Sequence, residues 1–129
     1  MLKQLIEDQV KAILIGDSDQ ATSDKQNESP NIGKYCIIRC RDAGVHAGIV
    51  QYVNGRTVHL KNSRRMWRFW SASEHTLSAV SQLGLSDNGK SQLARQLNET
   101  IELLDACEIL PCSSDAEASI NEWRVHNEQ

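Results

Sequence analysis

The spacing of apolar residues changes along the chain. In "LKQLIEDQVKAILI", residues 2–15, Leu2, Leu5, Ile6, Val10, Ile13 and Leu14 recur at steps of three and four. That period puts them on one stripe of an amphipathic helix, which Gly16 and Asp17 would end. So short a helix is not stable alone in water, so it is expected to dock on the domain or on another copy of itself. Residues 16–31, "GDSDQATSDKQNESPN", carry almost nothing apolar and read as a linker or loop. The expected organisation is a helical segment over 1–16, a linker over 17–32 and a single domain over 33–129.

From residue 34 the period drops to two. "KYCIIRCR" (34–41) places Cys36, Ile38 and Cys40 on one face of a strand, expected to be core. Tyr35, Ile37, Arg39 and Arg41 take the other face. "DAGVHAG" (42–48) reads as a glycine-containing turn, either a plain hairpin loop or a nest of N–H groups around an anion. "IVQYV" and "TVHLKN" are strands joined at "NGR" (54–56), where Asn-Gly suits a type I′ turn. "SRRMWRFW" continues as a fourth strand or an extended return. The expectation is an antiparallel β-sheet meander.

Helical spacing returns in "SASEHTLSAVSQLG" (71–84), with Ser73 as N-cap, Leu77, Val80 and Leu83 as the stripe, and Gly84 as the stop. "KSQLARQLNE" fits either a second helix or an extended arm. "TIELLD" and "CEILPC" are strand-like, with Pro111 marking an edge or end. "SSDAEASINEWR" is a final helix, capped by Ser114 or Asp115, with Ile120 and Trp123 facing inward. The pattern therefore predicts an α+β fold: an antiparallel meander, an N-terminal amphipathic helix and flanking short helices.

Composition adds a contrast. The 129-residue chain carries a net charge of -3. Yet Leu60–Trp70, "LKNSRRMWRFW", gathers Lys61, Arg64, Arg65, Arg68, Trp67, Phe69 and Trp70. An acidic chain lacks the broad basic face that long nucleic acids require, whereas a small phosphorylated ligand needs only a local cluster. As a regular strand the segment puts Arg65, Trp67 and Phe69 on one face and Arg64, Met66, Arg68 and Trp70 on the other. Guanidinium groups fork onto phosphates and aromatic rings stack on bases, so either face suits a nucleotide. The same residues also suit a core strand with arginines stacked over Trp70 on a solvated side. Arg39 and Arg41 are candidates to extend the basic surface.

Other chemistry is sparse. Cys36, Cys40, Cys107 and Cys112 lack zinc-knuckle spacing and are expected to be reduced, buried thiols. His46, His59, His75 and His126 are dispersed. No P-loop, dinucleotide fingerprint, nucleophile elbow or paired acid set is present, so neither an enzyme nor a resident cofactor or metal is expected. No apolar run reaches membrane-spanning length, and the N-terminus lacks a signal-peptide core, so a cytoplasmic protein is expected.

Taken in order, "GKYCIIRCRDAGVHAG", "NGRTVHLKNSRRMWRFW", "TLSAV" and "DACEILPCSSDAEASINEWR" resemble a family of small phage-encoded domains, the Thoeris anti-defence proteins. The shared pattern is an AGV-H/F-AG loop, then NARR-I/L-W-x-W, then EIIPCS and SI. The resemblance runs from about Gly33 to Arg124 and is poor over 84–99. Ser63, Met66 and Leu110 depart from it. It implies a sponge in the bacterial host cytosol that binds cyclic ADP-ribose isomers without cleaving them, keeping the defence effector off. It also implies self-association, from dimer to hexamer, and a separate site for cyclic trinucleotides that links the protein to CBASS signalling. Carried onto this chain, the ligand-binding set is Arg64, Arg65, Trp67 and Trp70, with Asn62, His46 and Arg39 nearby. A second nucleotide site falls at Gly55 and Arg56, and the N-terminal helix becomes an oligomer clamp. The alternative is a phage structural or protein-interaction module with the Arg/Trp segment as its interface.

Overall fold

A single antiparallel sheet organises the domain. The computed structural model describes residues 29–71 and 73–126, so the helix expected over 2–15 and most of the linker lie outside the described residues. The chain divides into two units, Met1–Pro30 and Asn31–Gln129, and the fold is that of the second. Its strands are β1 (Tyr35–Cys40), β2 (Gly44–Asn54), β3 (Thr57–Arg68), β4 (Gln92–Leu93), β5 (Ile101–Leu103) and β6 (Ala106–Pro111). Helix α1 (Leu77–Leu83) falls between β3 and β4, and α2 (Ser114–Glu122) follows β6. The architecture is α+β, as the periodicity predicts.

The strand order is β4-β3-β2-β1-β6, with β5 also paired to β3. Since β2 occupies one edge of β3, β4 and β5 share the other, β5 at Val58–Leu60 and β4 at Met66–Arg68. The path β5-β3-β2-β1-β6 would separate β5 from β6 by about 19 Å in a flat sheet, at ~4.8 Å per strand. Only Leu104 and Asp105 link them, a reach of at most about 11 Å. The sheet therefore curls toward a half-open barrel, with no ladder between β5 and β6 among the described residues. Arg41 N donates to Asp105 O at 3.0 Å and Ala106 N to Arg56 O at 2.9 Å, pinning the link to both hairpin ends.

Two cores result. Inside the curl lie Cys36, Ile38, Cys40, Val50, Val58, Leu60 and Leu103. On the outer face Tyr35, Ile37, Ala47, Met66 and Leu93 pack against Val80 of α1 and Ile120 of α2. Strand β1 is thus buried on both faces, and Cys36, Ile38 and Cys40 share the interior face expected of them.

Local chemistry sets the ends of the elements. Thr76, not Ser73, caps α1, its Oγ1 accepting from Ala79 N at 3.1 Å. Gly84 stops α1 at φ 86° with its N donating to Val80 O. Leu83 is exposed rather than part of the stripe, because α1 ends there. Ser113 caps α2, one residue earlier than expected, accepting from Ala116 N and donating to Gln82 O. Residues 85–98 form an irregular arm that turns at Asp87–Gly89, with β4 as its only regular part among the described residues.

Three expectations in the strands need correction. The turn expected over 42–48 is shorter, the three residues Arg41–Ala43, since β2 begins at Gly44 and takes in the rest of AGVHAG as strand. The second hairpin turns at Gly55–Arg56, with Asn54 paired to Thr57. Positive φ falls on Gly55 and not on Arg56, which fits a type II′ turn rather than type I′. Cys107 is exposed instead of buried, because it is the extra residue of a β6 bulge opposite Arg39 and Cys40. Burial raises the thiol pKa of Cys36 to about 11 and that of Cys112 to about 12.

Candidate functional site

The Arg/Trp segment is not one regular strand, and its bulges decide where each side chain goes. Ala47 pairs with Arg64, but Ile49 pairs with Lys61, so β3 carries one extra residue there. Asn62, at φ 55°, absorbs it. A one-residue slip moves every later side chain to the opposite face. Val58 and Leu60 point into the barrel, whereas Arg64 and Met66 point to the helices. Gly48 allows this crossing, since a Cβ there would lie 2.9 Å from Lys61 O and 3.0 Å from Ser63 Cα. A second shift between Met66 and Arg68 repeats the effect at Trp67. Met66 and Phe69 consequently join the same core cluster, although simple alternation assigns them to opposite faces.

Arg64 is the clearest departure from the expected ligand set. It is 3% exposed. Its Nε donates to Ala94 O at 2.7 Å, Nη1 to Ile120 O at 2.6 Å and Trp123 O at 2.7 Å, and Nη2 to Arg124 O at 3.3 Å. Two of these carbonyls belong to the C-terminal end of α2, where a cation is favoured by the aligned peptide dipoles. Burial lowers its pKa, but a guanidinium keeps its charge. Arg64 is a clamp on the chain beyond α2, with four of its five N–H groups donating to backbone carbonyls.

Three of the remaining candidates, Trp70, Arg65 and His46, line two cavities. The first, about 520 Å³, is lined by Arg68, Trp70, Lys90, Gln92, Arg124 and His126 among others. It holds three permanent cations and an indole, and no carboxylate is among its described lining residues. Trp70 stacks on His75 with centroids 5.5 Å apart and planes at 29°. Trp67 is 49% exposed and meets His126 edge-on at 5.5 Å. Arg124 Nη2 donates to Gly89 O at 2.6 Å, which draws the two walls together. Trp123 Nε1 donates to Ser91 O at 2.9 Å, and Ser91 Oγ accepts from Trp70 N at 3.0 Å. The volume lies within the usual range for small-ligand sites.

The second cavity holds His46 and Arg65, which sit opposite each other in the β2–β3 register. The other expected residues stand apart from both. Arg39 forms an exposed ion pair with Glu108 at 2.9 Å. Arg56 lies over the β6 bulge, its Nε 3.5 Å from Ala106 O. Asn62 serves the backbone of the bulge. Sequence reasoning left Arg68 out of the ligand set and missed Lys90, Gln92, Arg124 and His126. The signals for them are "NGK" at 88–90 and a second aromatic-basic run, "WRVH", at 123–126. No group of three or more potential metal ligands occurs among the described residues. No helix among them is long and apolar enough to cross a membrane.

No curated protein and no solved structure matches the chain. Residues 33–120 match a family described as a domain of unknown function, a span that takes in all six strands and α1. The chain therefore belongs to the DUF6948 family.

Proposed function

We propose that the protein binds and sequesters a small anionic nucleotide of the cyclic ADP-ribose type without cleaving it, acting as a cytosolic anti-defence sponge. The cavity of Arg68, Lys90 and Arg124 beside Trp70 carries this reading. A pyrophosphate needs charge-assisted donors and an adenine needs a flat ring, and this cavity offers both. The ligand seat is thus Arg68–Trp70–Arg124, with Trp67 and His126 at its rim, and Arg64 holds its wall. Nanomolar retention, about -12 kcal/mol, requires more enclosure than one open cavity gives. A second copy, brought in by the N-terminal segment, supplies that enclosure.

The test is calorimetry with a panel of cyclic ADP-ribose isomers, followed by heat release and chromatography of the ligand. Binding of one isomer, its recovery intact, and loss of about tenfold or more in affinity in R68Q/R124Q are expected. Flat traces across the panel would end the proposal, and recovery of an altered product would make the protein an enzyme. A second reading, a protein-interaction module, is favoured by Trp67 and Val125, 49% and 45% exposed. It predicts no nucleotide heat, and a protein complex weakened by Trp67→Ala.

A further inference from the structure

We infer that the second cavity, at the mouth of the barrel, is a binding site for a small carboxylate with an apolar body, distinct from the nucleotide seat. The cavity is about 430 Å³. It lies under the arch of chain that runs from β4 to β5 along the open edge of β3. That arch is stapled in place, with Ala94 N donating to Arg65 O at 2.8 Å and Leu97 N to Ser63 O at 2.9 Å. The wall is therefore preformed, as expected of a small-molecule site at a barrel mouth.

The lining has two parts. Ala43, Ala94, Leu97, Ile101 and Leu103 supply the apolar surface. Leu103 belongs to the barrel core, and Ala43 and Ile101 pack against it, so the cavity floor is continuous with that core. Leu97 is 44% exposed, a large apolar side chain left at the cavity. The second part is charged. Arg65 and Arg95 both line the cavity and both are exposed, and among the described residues neither forms an ion pair with a carboxylate. Glu102 is the one acid among the described lining residues, and its carboxylate reaches His59 Nε2 at 3.4 Å. Two guanidinium groups beside an apolar wall complement a carboxylate head on an apolar body.

His46 closes the floor without adding charge. Its Nε2 lies 2.9 Å from Ala43 O, and since a carbonyl only accepts, that nitrogen carries the hydrogen. Burial lowers the pKa of the ring, the Ala43 bond offsets part of this, and the Arg65 cation lowers it further. Burial and the Arg65 cation thus favour the uncharged ring, which suits an apolar body lying against it.

The site differs from the nucleotide seat in what it selects. The seat has three cations and an indole, whereas this cavity has five apolar residues and its cations in Arg65 and Arg95. An apolar carboxylate without a phosphate should enter here and not there.

The experiment is titration of the full chain with sodium decanoate below its micelle concentration, followed by amide chemical shifts, with decylammonium as the charge-reversed control. Saturable shifts at His46, Arg65, Ala94, Leu97 and Leu103 are expected with decanoate and not with decylammonium. R65Q/R95Q, at exposed positions and checked by an unchanged melting curve, should bind about tenfold more weakly or worse. Leu97→Asp should weaken binding too, while R68Q/R124Q, which disables the nucleotide seat, should leave it unchanged. Absence of saturable shifts around this cavity, equal shifts from both probes, or wild-type affinity in R65Q/R95Q overturns the assignment. None of these outcomes bears on nucleotide binding, so the two proposals fail separately.

Discussion

The three tryptophans show how one side-chain type is put to different uses. Trp123 packs against the outer core and donates its indole N–H to Ser91 O. Trp70 is half-buried at the cavity and stacked on His75. Trp67 sits on a bulge and is 49% exposed. A core tryptophan cut to alanine costs about 3–5 kcal/mol, and Trp67 does not have that burial to lose. Trp67→Ala should therefore cost no more than about 1 kcal/mol in chemical denaturation. A loss of several kcal/mol would mean that the ring is part of the core.

At the scale of elements, the bulge in β3 does the most. One extra residue at Asn62 turns Arg64 from a surface cation into the clamp that holds Ala94, Ile120, Trp123 and Arg124 by their carbonyls. Arg64→Met keeps the volume but strands those acceptors. It should cost about 2–4 kcal/mol in urea denaturation. It should also loosen the Arg124–His126 wall, so nucleotide affinity should fall even where the domain stays folded. Arg64→Met with wild-type stability would refute the clamp. Alternation in the sequence gives no warning of this, because a bulge adds a residue without changing composition.

For the molecule as a whole, closure of the sheet is the controlling event. Leu103 sits 3% exposed in the barrel core, while its neighbour Leu104 is 58% exposed. Leu103→Ala should cost about 2–5 kcal/mol, as for other buried leucines, and Leu104→Ala close to nothing. Equal effects in thermal melts would mean that β5 is not closing the barrel. The two cavities have different walls. The chain from β3 through α1 to β4 and the chain beyond α2 wall the first, and the β4–β5 arch walls the second.

The linear pattern determined most of the elements. Strand-like apolar runs located β1, β5 and β6, helical spacing located α1 and α2, and Gly84 marked a stop, because each depends on neighbours a few residues apart, whereas β4 lies in a stretch that fits a helix or an extended arm equally well. It also singled out the Arg/Trp segment as unusual in an acidic chain. Which of those arginines faces solvent was decided only by the tertiary fold. The parity of β3 depends on pairing with β2 across a bulge, and the partners of Arg64 come from residues 94 and 120–124. Lys90, Arg124 and His126 reach the cavity of Trp70 for the same reason. Contacts between residues 20 to 60 positions apart leave no periodic trace, and only the curled sheet brings them together.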